Sequence, residues 1–126
     1  MKQPDRKPTD AELAILRVLW SRGPSTVRDV AAAMDREGAY TTVLKLLQIM
    51  MDKQLVRRDE STRTHVYEAA HSEALMQQHL VADLLDRAFD GSAATLVMRA
   101  LSAKKTSAKE LAEIRKLLES KQGERP

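Results

Sequence analysis

From Ala39 to Ala69 the spacing of apolar residues changes from a helical to a strand period, and few folds accept that change within thirty residues. Val43, Leu46, Leu47 and Met50 fall at helical intervals and predict one apolar stripe. Thr41, Thr42, Lys45 and Gln48 take the other side, free to meet a partner. The spacing predicts a helix that begins near Thr41. Leu55, Val56, Arg57 and Arg58 then read as a strand, Asp59, Glu60, Ser61 and Thr62 as a turn, and residues 63–67 as a returning strand. A polar-faced helix running into a short basic hairpin is the outline of a winged helix-turn-helix. Double-stranded DNA is the partner that outline points to.

The residues before this junction supply the rest of such a unit. Thr9 and Glu12 form a capping-box pattern, opening a helix that carries Leu13, Leu16, Leu19 and Trp20. Gly23 and Pro24 end it. Thr26 and Asp29 repeat the cap more weakly before a second helix with Val27, Val30, Ala31 and Met34 inward. Residues 35–38 form the turn to the third helix, and residues 1–7 and 123–126 read as polar tails. Residues 1–70 are therefore expected to be a winged helix-turn-helix DNA-binding domain.

Residues 71–126 read as helix throughout and are expected to form a helical dimerisation domain. Ser72 can cap a long helix bearing Leu75, Leu80, Leu84, Leu85, Ala88 and Phe89, which residues 90–92 break. A short helix over 93–101 carries Leu96, Val97 and Leu101, and a polar linker over 103–106 follows. A Ser107/Glu110 box then precedes a last helix with Leu111, Ile114, Leu117 and Leu118. About fifty residues cannot bury that many leucines alone, so a second copy of the chain is the expected cover. The dimerisation residues on this reading are Leu80, Leu84, Leu85, Phe89, Leu96, Leu101, Leu111, Ile114 and Leu118. Folding back onto the front unit as a monomer is the simpler alternative. The fold class is mostly α.

Composition narrows the function. Hydrophobic residues make up 43% of the 126, but the aromatics are one Trp, two Tyr and one Phe, so aliphatic side chains must pack the core. A net charge of +3 is mild, with two of those charges before residue 71 and one after it. Any DNA-binding face must come from local arrangement. The chain has no cysteine, which excludes disulfides and thiolate metal sites. Neither a signal peptide nor an apolar run of spanning length occurs, so a soluble cytoplasmic protein without membrane insertion is expected. No nucleophile, metalloprotease or phosphate-loop motif is present, and an enzyme is not expected. His65, His71 and His79 match no compact ligand spacing, so neither a metal nor a cofactor is expected.

For the interface, Thr41, Thr42 and Lys45 are the candidates on the third helix, with Tyr40 at its entry. A threonine hydroxyl can bond a base edge while its methyl meets a thymine methyl, and Lys45 can reach a guanine or a phosphate. The plain alternative makes Thr41 a helix cap and Lys45 a solvated charge. Arg57, Arg58, Arg63 and His65 belong to the hairpin, where strand alternation sends Arg57 and Arg58 to opposite faces. Arg28, early in the second helix, is a further phosphate candidate. Three rival functions share this outline: a winged helix that binds protein without sequence-specific DNA binding, a histidine-based metal sensor, and an RNA-binding module.

The segments TDAELAILRVLW, VRDVAAAM, AYTTVLKLLQIMMDKQLV, HVYEA and SAKELAEIRKLL together resemble the penicillinase repressor family, with its BlaI, MecI and CopY branches. That resemblance spans about residues 9–120. It implies a dimeric winged-helix repressor on palindromic operator DNA, controlling β-lactamase or other stress and resistance genes. It also implies a membrane sensor metallopeptidase that triggers cleavage in the dimerisation region. The cleaved bond would align with Arg99–Ala100, where the Asn-Phe pair of staphylococcal members is absent. The cysteine cluster of the copper branch is also missing. Gln54 replaces the glycine that usually follows the recognition helix, and a different helix exit is expected there, because glutamine resists the left-handed conformation.

Overall fold

The structure is a computed structural model and describes residues 7–34 and 38–123. Most of the expected tails, and all of the expected 35–38 turn except Gly38, lie outside those residues. Among the described residues, six helices and one two-stranded sheet follow in the order α1 (Asp10–Arg22), α2 (Val27–Met34), α3 (Ala39–Asp52), β1 (Val56–Asp59), β2 (Val66–Ala69), α4 (Glu73–Ala88), α5 (Ala93–Ala103) and α6 (Ala108–Gly123). The fold is mostly helical and is that of a winged helix.

Local chemistry sets the helix starts. The Thr9 hydroxyl accepts from the Glu12 amide at 3.2 Å, and Glu12 Oε1 accepts from the Thr9 amide at 2.9 Å. Thr26 and Asp29 make the same reciprocal pair at α2, with both bonds 3.1 Å. Ser72, Ser92 and Ser107 cap α4, α5 and α6 through single bonds to the backbone three residues on.

The chain forms two compact units, residues 7–82 and 83–123 among those described. In the first, α1, α2, α3 and the hairpin enclose one core: Ile15, Leu16, Leu19, Val27, Val30, Val43, Leu47, Met50, Leu55, Val56, Tyr67 and Met76. Met76 and Leu80 of α4 belong to this core and its edge. The hairpin is antiparallel, pairing Val56 with Ala69 and Arg58 with Tyr67. A third, one-residue strand joins it. Ser25 and Tyr67 exchange both backbone hydrogen bonds, at 2.9 and 2.7 Å. The buried Ser25 hydroxyl donates to the Gly23 carbonyl at 2.8 Å, so no polar atom of this residue is stranded.

In the second unit no residue of α5 or α6 is buried. Leu84, Leu101, Leu111 and Leu118 stay between 38% and 57% exposed.

Several expectations are corrected. The third helix begins at Ala39, because Gly38 takes the left-handed N-cap conformation that starts it two residues early. The second hairpin strand is Val66–Ala69, so Arg63, Thr64 and His65 sit in the loop before it. The short helix expected to end at Leu101 continues to Ala103. Gln54 does adopt the left-handed conformation, with φ 64°. Its amide donates to the Met51 carbonyl, and the Leu55 amide to the Met50 carbonyl. That is the Schellman pattern, and the fully buried Leu55 and Met50 complete it with an apolar contact. The pull of Leu55 into the core forces glutamine into a backbone state it would otherwise avoid.

Candidate nucleic-acid interface

The exposed face of α3 is set by what the core takes. Val43, Leu47 and Met50 are buried, leaving Thr41, Lys45 and Gln48 on the opposite face at spacings of four and seven residues. Thr41 lies inside the first turn and the N-cap is Gly38, so Thr41 does not cap the helix. Tyr40, half exposed, is the second residue of the helix and lines a surface together with hairpin-loop residues.

Beside Tyr40 lies a concavity of about 370 Å³ lined by Thr26, Arg28, Tyr40, Leu44, Arg63, Thr64, His65 and Tyr67 among others. Three candidates from distant parts of the chain meet there: Arg28 from α2, Tyr40 from α3 and Arg63 from the hairpin loop. The bridge between Ser25 and Tyr67 brings the start of α2 to the hairpin, which is how Arg28 and Arg63 come to line one surface. Two guanidinium groups, an imidazole and four hydroxyl-bearing residues suit a phosphate backbone, as does the first turn of α2.

Other candidates go elsewhere. Thr42 lines a separate apolar groove of about 320 Å³ with Ala14, Met34, Ala39 and Leu46. Arg57 donates to the Ala70 carbonyl at 3.1 Å and lines a depression with Trp20, Gly23 and Pro24, apart from Arg28 and Arg63. Arg58 donates twice to Glu60 Oε2, at 2.9 and 2.7 Å. The Tyr67 phenol oxygen and then Glu60 hold the Arg58 guanidinium above its ordinary pKa. Arg58 and Glu60 thus form an ion pair within the hairpin. Asp59 accepts from the Ser61 amide at 2.9 Å, and the Ser61 amide and hydroxyl keep its carboxyl below the ordinary range. At α2 the Thr26 amide and hydroxyl, with Arg22 at 3.8 Å, do the same for Asp29.

Thr26 and Thr64 line the concavity although the sequence singled out neither as an interface residue. Thr26 was legible only as a cap, and Thr64 carried no signal. Leu80 packs against the core of the first unit, whereas Leu84, Leu101, Leu111 and Leu118 are exposed. Arg99 and Ala100 are exposed in the interior of α5. Among the described residues no group of three or more His, Cys, Asp or Glu side chains is placed to hold a metal, and no helix is long and apolar enough to cross a membrane.

One family model, described as penicillinase repressor, matches residues 8–120. The transcriptional regulator BlaI from two strains of Mycobacterium tuberculosis is 39% identical over 84 residues, covering 64% of this chain. The matched stretch spans 61% of the length of those curated relatives. A solved structure of a Lactococcus lactis ZitR mutant matches with a TM-score of 0.50 at 19% identity, covering 98% of this chain and 80% of that one. This last likeness speaks to the fold alone.

Proposed function

The chain belongs to the penicillinase repressor family, and on that premise we propose that it is a homodimeric transcriptional repressor of the BlaI type that binds palindromic operator DNA. The observation that carries this reading is the meeting of Arg28, Tyr40 and Arg63 beside the exposed Thr41, Lys45 and Gln48 face of α3. In this reading α3 enters the major groove. Thr41 and Lys45 meet base edges or nearby phosphates, while Tyr40, Arg28 and Arg63 grip the flanking backbone. Residues 1–70 bind DNA, with Met76 and Leu80 closing their core. Residues 71–126 join two subunits through the exposed leucines of α4, α5 and α6.

The protein acts in the cytoplasm and controls β-lactamase or other resistance and stress genes. Induction on this reading runs through a membrane sensor metallopeptidase, as in many members of the family. The Arg99–Ala100 bond lies within α5, so cleavage there requires that helix to unwind first.

Fluorescence anisotropy on the upstream region of the gene, against scrambled DNA at two salt concentrations, tests the reading. A dimer making about 6–10 phosphate contacts should lose roughly three to five decades of affinity between 50 and 200 mM salt. Equal, weak binding to both DNAs would remove sequence recognition. Absence of binding at low salt would favour protein recognition by the winged helix.

A further inference from the structure

Ile49 is 41% exposed on the third turn of α3, although Leu46 and Met51 of the same helix pack against the core. An aliphatic side chain left in water forgoes the stabilisation that burial provides. Its position indicates what could cover it. Thr41, Lys45 and Ile49 recur every fourth residue and form one row along α3, with Gln48 beside it.

The major groove offers hydrogen-bond donors, acceptors and one apolar feature, the 5-methyl group of thymine. Threonine, lysine and glutamine match the polar features, whereas isoleucine has only carbon to offer. We propose that Ile49 packs on the 5-methyl group of a thymine in each half-site and so selects a T·A pair there. Eight residues of helix separate Ile49 from Thr41, a rise of about 12 Å. At about 3.4 Å per base step, the selected thymine lies roughly three to four pairs from the one nearest Thr41. The inference rests on the DNA-binding reading and adds to it one base and one contact.

The test takes duplexes selected from a random pool by the full-length wild-type protein and replaces each thymine in turn by deoxyuridine, which removes the methyl alone. Wild-type protein should lose about fourfold in affinity at one thymine per half-site, the worth of one buried methyl group. Ile49→Ala should bind the thymine duplex correspondingly less well and make no distinction between thymine and deoxyuridine at that position. Because Ile49 is exposed, this variant keeps the fold, which circular dichroism checks. An unchanged fourfold preference in Ile49→Ala, or no sensitive thymine for wild type, overturns the inference and leaves DNA binding intact. Failure of the wild type to select any duplex overturns the DNA-binding reading, and the inference with it.

Discussion

Lys53 Nζ lies 2.7 Å from Glu12 Oε1, joining the first turn of α1 to the C-cap of α3. Glu12 is 2% exposed and Lys53 12%, so the pair is shielded from water. The same carboxylate oxygen also accepts from the Thr9 amide, and one residue thus caps α1 and anchors the far end of α3. Removing one partner from such a pair leaves an uncompensated charge, which costs far more than the pair contributes in net terms.

Burial opposes ionisation of Glu12, but the Lys53 hydrogen bond and charge and the Thr9 bonds outweigh it and hold the carboxyl below its ordinary value of 4.5. Glu12 therefore contributes stability that is fully present above that value and lost as pH falls through the lower folded one. Lys53→Met should cost about 3–5 kcal/mol at neutral pH. With the ammonium gone, burial raises the Glu12 pKa, so protonation relieves the penalty and the deficit relative to wild type starts to narrow above about pH 4.5 and goes on narrowing below it. Urea denaturation at pH 7 and pH 4 measures both. An equal deficit at the two pH values would mean that lost packing, not charge, dominates.

Gln54 occupies a left-handed backbone state that costs a non-glycine residue about 1–2 kcal/mol. Glycine removes this cost but loses some backbone entropy on folding, so Gln54→Gly should stabilise the first unit by about 1 kcal/mol. Gln54→Val, which is β-branched, should destabilise it. Thermal melts of the two variants are expected to move in opposite directions from wild type.

Arg63 and Arg57 should separate in a salt titration. Arg63→Ala is expected to weaken binding to all DNA sequences alike and reduce the salt slope by about 1 per subunit. Arg57→Ala should leave the slope unchanged, since that guanidinium is engaged with the Ala70 carbonyl. A lower slope for Arg57→Ala would place its side chain on DNA after all.

Lys45→Ala distinguishes base reading from phosphate contact. A loss of about 1–3 kcal/mol on the operator alone marks a base contact. An equal loss on random DNA marks a phosphate contact. Competition anisotropy with both duplexes decides between them.

Charge placed in α5 and α6 should break the proposed dimer without unfolding the first unit. Leu101→Asp with Leu118→Asp is expected to shift sedimentation equilibrium to monomer at micromolar concentration. Trp20, whose indole donates to the His71 carbonyl at 3.0 Å, should keep its wild-type fluorescence. A wild-type protein that sediments as a monomer would remove the dimer from the proposal.

The features that were legible in the sequence act over three or four residues. The Thr9/Glu12 and Thr26/Asp29 boxes, the Ser72 cap and the Val43, Leu47, Met50 stripe all leave local signals, because a cap or a helical face repeats at the pitch of the backbone. The number and order of elements followed from these signals. So did the polar face of α3.

What the tertiary structure decided has no local period. Ser25 pairs with Tyr67, and that bridge lets Arg28, Tyr40 and Arg63 line one concavity. The hairpin register sends Arg57 to the Ala70 carbonyl and Arg58 to Glu60, which alternation alone could not assign to either face. Glu12 read only as half of a cap, since nothing near it in sequence announces a lysine forty-one positions away. Gln54 turned left-handed because burying Leu55 against Met50 outweighs one strained residue. Local hydrogen bonding thus wrote the helices into the sequence, whereas pairing between distant segments, governed by core packing and strand register, assembled the surface proposed to meet DNA.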